Sequence, residues 1–270
     1  MSLIVIKFGG EVAEAYEQLE NLLISTKRLM EKKNKIVLIH GGGPSATELS
    51  KRLGIESKFV GGRRVTDLAT LEVMKMTLPG VTNSNVLAAC RRMGLPGVAV
   101  SGISLLEASK RPPKPVSGSN GENVDFGYVG DVSRVNNQLL VDLIEKNYLP
   151  IVSPLGCDQS GQVLNINADT VAVRIAQSMM CDIFVFIAAV GGVFQNLDDK
   201  NSRFQQLTVQ ESKEKIQNKT IQGGMIPKLE EAFDLLSGHL QSFHIVGVSS
   251  PDNDEKEILN PGAIGTAIVR

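Results

Sequence analysis

The chain has 270 residues, of which 42% are hydrophobic, 4% are aromatic and 21% are charged, and its formal net charge is −1. This length and apolar fraction are sufficient for one large α/β domain or for two closely packed lobes. The balanced charge gives no electrostatic basis for binding nucleic acid or an anionic membrane surface, and the absence of Trp argues against base stacking. No apolar run reaches the ~18 residues of a membrane span. The 3 cysteines are far apart in sequence, as is typical of reduced thiols, so we expect a cytoplasmic protein.

Short apolar runs alternate with longer amphipathic stretches along the chain. The runs are nearly continuous in apolar residues, which is typical of strands covered on both faces. The predicted strands are residues 3–6, 35–39, 97–100, 150–153, 183–187, 243–248 and 265–269. The predicted helices include residues 13–33, 68–93, 136–147, 168–180 and 226–237. This alternation predicts an α/β fold with a mainly parallel sheet and helices on both faces.

One stretch, residues 103–135, interrupts this alternation. It contains several prolines, the turn-forming run 117–121 and then a short extended piece at 124–129. Such residues favour turns over regular elements, so we expect an irregular excursion with a hairpin. Insertions of this kind commonly shape a substrate site or a lid.

Two further features organise the second half of the chain. We predict that the chain divides near residue 170 into two lobes, an N-terminal lobe, 1–170, and a C-terminal lobe, 171–270. Thr208 and Glu211 have the spacing of a capping box, which predicts that a helix begins after Thr208.

Three glycine-rich turns lie beside predicted strand ends or helix starts. Glycine lets backbone N–H groups approach a ligand because no Cβ is in the way. Helix N-termini present such N–H groups to anions, and two of the turns also carry a lysine. The turns are Lys7-Phe8-Gly9-Gly10, His40-Gly41-Gly42-Gly43-Pro44-Ser45 and Gly223-Gly224-Met225-Ile226-Pro227-Lys228. This combination predicts a polyphosphate site and a small-molecule phosphotransferase.

Each of the two lysines has a structural and a functional interpretation. Lys7 is either a strand-end lysine that reaches water or an ammonium group held beside a phosphate-binding turn. Lys228 falls in the first turn of a predicted helix, where a cation is disfavoured because the helix N-terminus is already positive. A bound anion would remove that conflict, so the position of Lys228 favours phosphate binding.

The run Asn165-Ile166-Asn167-Ala168-Asp169 precedes a predicted helix. Asn167 or Asp169 as a helix cap is the structural alternative. The run nevertheless holds more polar groups than one cap requires. A carboxylate between the two lysines would orient both cations and limit their repulsion, and Asp169 is the candidate for that role.

The second glycine turn also fits a dinucleotide-binding fingerprint. Gly41-x-Gly43-x-x-Ala46 matches the pattern, and Arg63 and Arg64 follow about 20 residues later, where they could hold a 2′-phosphate. However, no acidic residue stands at the end of the next strand, and the fingerprint leaves the two lysines unexplained. Nicotinamide binding is therefore the weaker alternative.

The sequence lacks several familiar catalytic patterns. It contains no G-x-x-x-x-G-K-[ST] phosphate loop, and no protein-kinase H-R-D motif accompanies the tripeptide Asp125-Phe126-Gly127. No His is placed as an obvious general base, which a hydroxyl nucleophile would need. A carboxylate ionises near pKa ~4 and needs no base at neutral pH. The sequence therefore favours a reaction that forms an acyl phosphate.

Taken together, these residues resemble the amino-acid kinase family over nearly the whole chain. The matching segments are residues 7–10, 40–45, 62–66, 124–132, 165–169, 223–228 and 265–267. The resemblance implies a carbamate kinase-like three-layer αβα sandwich with a mainly parallel open sheet. It implies that lobe 1–170 binds an acylated amino acid and that lobe 171–270 binds ATP. The implied reaction is ATP-dependent phosphorylation of the side-chain carboxylate of N-acetyl-L-glutamate in arginine biosynthesis, with Mg²⁺ carried mainly by the phosphates.

The resemblance also implies residue roles. Lys7 and Lys228 would stabilise the transferring phosphoryl group, Asp169 would organise both lysines, and Gly10 and Gly43 would complete the catalytic set. The implied substrate-binding residues are Gly42, Gly43, Arg64 and Asn165, with Arg64 pairing with the α-carboxylate. The implied ATP-binding residues are Lys7, Gly9, Gly10, Ala189, Gly191, Gly192, Gly224, Met225 and Lys228. No residue is predicted to bind a metal directly.

Two departures from the family pattern keep alternatives open. Ala188-Ala189 replaces the usual Ser/Thr-Asp pair in a nucleotide-facing turn, and Ile103-Ser104 follows Ser101-Gly102 where an Asp-Gly pair is common. The alternatives are the same chemistry on N-succinylglutamate or a carrier-linked aminoadipate, and a weakly active or non-catalytic ligand-binding homologue. We expect a homodimer, because family members often dimerise through the helix region 68–93.

Overall fold

The computed structural model describes residues 1–116, 119 and 121–270, and for residue 254 it describes the backbone only. The predicted turn at 117–121 therefore lies partly outside the described residues. The strands are β1 (Leu3–Phe8), β2 (Lys35–His40), β3 (Lys58–Val60), β4 (Arg63–Val65), β5 (Gly97–Ser101), β6 (Leu106–Lys110), β7 (Gly130–Val135), β8 (Leu149–Ser153), β9 (Leu155–Cys157), β10 (Val163–Asn165), β11 (Ile183–Ile187), β12 (Gln206–Thr208), β13 (Ser242–Val246) and β14 (Thr266–Val269). The helices are α1 (Gly10–Glu14), α2 (Tyr16–Glu31), α3 (Gly43–Arg52), α4 (Leu68–Met76), α5 (Asn83–Arg92), α6 (Gln138–Glu145), α7 (Ala168–Ser178), α8 (Val209–Gln217), α9 (Met225–Leu236) and α10 (Asn253–Leu259).

The main sheet has eight strands in the order β12-β14-β13-β11-β1-β2-β8-β5. Neighbouring strands are parallel except β13 and β14, which are antiparallel. Each predicted strand is present, and the predicted mainly parallel sheet is confirmed. β1 lies between β11 and β2, so the carboxyl ends of these three strands meet at one edge of the sheet.

Both faces of this sheet are covered by helices. In β1, Ile4, Ile6 and Phe8 pack with α1, α2 and α5, whereas Val5 packs on the other face with α6, α7 and α9. Because side chains alternate along a strand, Lys7 lies on the same face as Val5, towards α7 and α9. The result is the predicted three-layer αβα sandwich.

The excursion after β5 contributes to a second sheet, ordered β10-β9-β6-β7, in which β6 and β7 are antiparallel. The short extended piece predicted at 124–129 lies outside the regular strands, since β7 begins at Gly130. Asp125 accepts the N–H of Gly127, whose φ is +72°, and this local turn interrupts strand pairing. Residues 124–129 make three isolated bridges, Lys114 to Val124, Thr66 to Gly127 and Val129 to Asn165.

The predicted helices are present with one correction. The helix predicted at 13–33 is divided at Ala15, whose backbone is extended, and α1 already begins at Gly10. The helix predicted at 68–93 consists of α4, a π-helical segment at Thr77–Thr82, and α5. The capping box of Thr208 and Glu211 is confirmed at the start of α8. Among the described residues, no helix combines the length and apolar character required to cross a membrane.

Candidate active site

The carboxyl ends of β1 and β2 bring the first two glycine turns into contact. Gly41 donates its N–H to the carbonyl of Phe8 at 2.8 Å. A Cβ on Gly10 would lie 2.9 Å from the Cα of Gly42 and 2.8 Å from the ring of Pro44. These distances are shorter than a real Cβ tolerates, so glycine is required where the two backbones meet.

Lys7 and Lys228 meet at the carboxylate of Asp169. Lys7 Nζ lies 2.7 Å from Asp169 Oδ1, and Lys228 Nζ donates to Asp169 Oδ2 at 2.8 Å. The side chains of Lys7 and Asp169 are 7% and 8% exposed, whereas that of Lys228 is 21% exposed. The structure therefore brings together the three charged residues that the sequence singled out, and it leaves one ammonium group partly accessible to a ligand.

The electrostatics of this cluster are governed by burial and by the charges themselves. Burial lowers the pKa of Lys7, and the ammonium of Lys228 adds to that effect, while the carboxylate of Asp169 opposes it. Burial alone would raise the pKa of Asp169, but the two ammonium groups outweigh it and the pKa lies below its ordinary value. Asp169 is therefore ionised at neutral pH and can hold two cations.

Local helix geometry positions these side chains. Asn167 caps α7, because its Oδ1 accepts the N–H of Asp169 at 3.0 Å. The carboxylate of Asp169 is thus not used as the cap and is available to the lysines. Gly224 precedes α9 and Pro227 lies in its first turn, as predicted, which places Lys228 there. Lys228 Nζ also lies 5.6 Å from the ring centroid of Phe186 in β11.

Arg64 and Asn165, the predicted substrate-binding residues, lie beside the second glycine turn and the second sheet. Arg64 donates from Nη2 to the carbonyl of Gly43 at 3.1 Å and to Thr47 Oγ1 at 2.7 Å. Asn165 donates from Nδ2 to Thr66 Oγ1 at 3.1 Å. Gly43 is exposed, and a Cβ there would contact nothing within 4 Å. Its surroundings are therefore open to a ligand.

Besides Lys7, Gly9 and Gly10 of the first glycine turn, the predicted nucleotide-binding residues occupy two other turns. Ala189, Gly191 and Gly192 follow β11, which is a parallel neighbour of β1, so this turn lies at the same sheet edge as Lys7. Gly191 donates its N–H to the carbonyl of Ala188 at 3.0 Å, which closes the turn. The other predicted residues, Gly224 and Met225, stand at the start of α9, the helix that carries Lys228.

Sequence analysis did not identify the partners of His40. Its ring is buried, Nδ1 donates to the carbonyl of Gly41 at 2.8 Å, and Nε2 lies 3.1 Å from the side-chain amide of Asn83. Burial lowers the pKa of His40, so its imidazole is neutral and supports the turn. No sequence signal marked Asn83, since it is 43 positions away, on the helix that begins after the π-helical segment. Phe186 was also missed, although strand alternation places it on the face of Lys7.

The donor groups in the described part of the chain do not form a protein-built metal centre. No group of three or more His, Cys, Asp or Glu side chains is clustered there. Both oxygens of Asp169 already face ammonium groups. Mg²⁺ commonly binds through substrate phosphates and water, and this site fits that mode better than an all-protein cage.

Comparison with known proteins places this geometry in a family. The sequence model of the amino acid kinase family matches residues 2–247 of this chain. An acetylglutamate kinase of Anaeromyxobacter sp. (strain K) is 42% identical over 271 residues, covering 100% of this chain and 99% of the relative. An acetylglutamate kinase of Methanothrix thermoacetophila is 37% identical over 269 residues, covering 99% of this chain and 92% of the relative.

Solved structures show the same fold at lower identity. The carbamate kinase from Giardia lamblia bound to AMP-PNP superposes with a TM-score of 0.69 at 16% identity, covering 100% of this chain and 98% of that chain. This similarity concerns the fold alone. On the sequence match and the full-length relatives, the chain belongs to the amino acid kinase family.

Proposed function

We propose that this protein transfers the γ-phosphoryl group of ATP to the side-chain carboxylate of N-acetyl-L-glutamate, giving N-acetyl-L-glutamyl 5-phosphate, a step of arginine biosynthesis. The observation that carries the proposal is the meeting of Lys7 and Lys228 at Asp169 beside two glycine turns. The choice of substrate is supported by full-length relatives at 42% identity that are named acetylglutamate kinase.

The cluster suits a reaction that needs charge neutralisation rather than a base. The attacking carboxylate is already ionised at neutral pH. Lys7 and Lys228 would stabilise the negative charge on the transferring phosphoryl group, and backbone N–H groups of Gly10 and Gly43 would hold its oxygens. Asp169 would keep the two ammonium groups in place and limit their repulsion. Mg²⁺, bound mainly by the phosphates, would neutralise part of their charge.

We assign the substrates to the two lobes. Lobe 1–170 would bind the acylated amino acid, with Arg64 on its α-carboxylate and Asn165, Gly42 and Gly43 around it. Lobe 171–270 would bind ATP, and the first glycine turn would contribute to it. The predicted nucleotide contacts are Lys7, Gly9, Gly10, Ala189, Gly191, Gly192, Gly224, Met225 and Lys228. We also propose that the protein forms a homodimer. We propose a cytoplasmic location, because ATP is available there.

A coupled assay of ADP release with N-acetylglutamate tests the reaction. We expect turnover in the wild type and at least a 100-fold lower kcat in Lys228→Ala, which loses a cation needed mainly in the transition state. N-succinylglutamate measured in parallel tests the acyl group, and we expect a lower kcat/KM with it. Wild-type turnover no higher than that of Lys228→Ala would contradict the proposal.

The lobe assignment has its own test. Arg64→Ala should raise the KM for N-acetylglutamate about tenfold or more, because a charge-assisted bidentate pair is lost. The KM for ATP should change less than twofold. A change confined to the KM for ATP would show that the lobes are assigned the wrong way round.

A further inference from the structure

The turn after β11 is held by a hydroxyl from the last strand of the chain. Val193 donates its N–H to Thr266 Oγ1 at 2.9 Å, and this hydroxyl donates to the carbonyl of Phe204 at 2.6 Å. Phe204 in turn donates its N–H to the carbonyl of Val193 at 2.9 Å. Thr266 is fully buried, so no water can replace its hydroxyl as the partner of the Val193 N–H.

The segment that leads into Thr266 is fixed by two side chains of opposite charge. The carboxylate of Glu257 accepts the N–H groups of Gly262, Ile264 and Gly265 at 2.7, 3.0 and 2.8 Å. The guanidinium of Arg203 donates to carbonyls of the same segment, those of residues 262, 263 and 265. The backbone donors thus face a carboxylate and the backbone acceptors face a guanidinium. We call these two side chains the clamp.

One member of the clamp, Arg203, also contacts the turn directly. A Cβ on Gly192 would lie 2.9 Å from Arg203 Cδ and 3.1 Å from Thr266 Oγ1, so the turn packs against Arg203 and Thr266. Glu257 is fully buried and lies 3.0 Å from His244 Nδ1. A charged group buried with so many partners is rigid, since any movement would leave polar groups unpaired.

This rigidity has a consequence for the nucleotide-facing turn, in which Ala188-Ala189 offers no polar side chain. A turn without such side chains can hold a ligand only through its backbone, and backbone donors must be placed accurately. We propose that Thr266, held by the Arg203–Glu257 clamp, is the positioning residue that sets the 191–193 turn for ATP. The inference rests on the proposed function, because it takes that turn to face ATP.

The test compares Thr266→Val with Thr266→Ser. Valine keeps the shape but removes the acceptor of the Val193 N–H, so we expect the KM for ATP to rise about tenfold while the KM for N-acetylglutamate stays within twofold. Serine keeps the hydroxyl and should restore the wild-type KM for ATP. Thr26→Val is the matched control, since Thr26 is also fully buried but donates to the carbonyl of Leu22 in α2. It should leave the KM for ATP within twofold.

Calorimetric titration with ATP and Mg²⁺ separates this inference from the proposed function, because binding needs no turnover. A folded wild type that binds ATP but does not turn over contradicts the proposed function, and weaker ATP binding by Thr266→Val still supports the positioning role. Equal ATP affinity in wild type and Thr266→Val would overturn the positioning role of Thr266. An equal rise of the KM values for ATP and N-acetylglutamate would also overturn it. If Thr266→Val does not fold, the same titration of Arg203→Lys tests the positioning role. We expect a threefold or greater loss of ATP affinity in that variant, and an unchanged affinity would contradict the role.

Discussion

Asp169 shows how one residue can serve two cations in a buried place. Taking charges out of water is costly unless each finds a partner, and here one carboxylate is within 2.8 Å of two ammonium groups. The sequence pointed to Lys228 because a lysine opposes the helix dipole at that position, and to Asp169 because the run around it held surplus polar groups. It did not separate Asn167 from Asp169, since either residue makes a good cap and only tertiary contacts decide between them.

The first prediction concerns Lys7. Lys7→Ala should lower kcat about 100-fold or more and change both KM values by less than threefold, because the ammonium is needed chiefly when charge develops on the phosphoryl oxygens. Lys35→Ala is the control, since Lys35 begins β2 at the opposite edge of the sheet and bonds Asn147. Steady-state measurements of kcat and of both KM values in the two variants test this prediction. A Lys7→Ala enzyme with unchanged kcat would exclude Lys7 from the reaction.

The second prediction is a pH effect. The pKa of Lys7 lies below its ordinary value of 10.5, because burial and Lys228 outweigh the attraction of Asp169. If the charged form is active, kcat falls as the pH rises through this lowered pKa, so the decline begins below pH 10.5. Asp169→Asn removes the main group that raises the pKa of Lys7, and the decline should move to lower pH. Profiles of kcat against pH test this, and an unmoved alkaline limb in Asp169→Asn would contradict it.

At the scale of elements, long apolar runs were predictable and short ones were not. β1, β2, β8 and β11 are buried on both faces, which leaves a continuous apolar signal in the sequence. The missed β3–β4 hairpin has strands of three residues that are partly exposed, so neither length nor alternation distinguishes it from a loop. The division of the predicted helix 13–33 at Ala15 was also missed, because alanine favours helix and tertiary packing overrides that preference.

The third prediction concerns the contact between the glycine turns. Gly10→Ala should lower stability by about 1–3 kcal/mol and lower kcat about tenfold or more, because its Cβ would press against the backbone of Gly42 and separate the turns. Gly43→Ala is the matched control for stability, since a Cβ there meets nothing within 4 Å. Urea unfolding of both variants measures the difference. Equal stability of the two variants would mean that the turns do not need this close approach.

At the scale of the whole molecule, one sheet joins the two proposed lobes. β1, from the first half of the chain, pairs with β11, from the second half, with Lys7 beside Phe186 in the register. The candidate site therefore lies at an edge to which both halves of the chain contribute strands, helices and turns. The order of strands could not be predicted from the sequence, because neighbours such as β1 and β11 are far apart along the chain and nothing local encodes their pairing.

The last prediction concerns assembly. Three apolar side chains in the helix region 68–93 are exposed, Leu68 at 57% and Met76 and Val81 at 47% each. Met76 and Val81 are five positions apart across the π-helical segment, and the i→i+5 hydrogen bonding of a π-helix brings residues at this spacing to nearly the same side. An apolar face of this kind would be covered by a second copy in the proposed homodimer.

Light scattering after gel filtration should therefore give a dimer for the wild type and a monomer for the double variant Met76→Glu/Val81→Glu. Leu259→Glu is the control, since Leu259 is 66% exposed on α10, and it should remain dimeric. A wild-type monomer, or a double variant that still dimerises, would rule out this helix face as the interface.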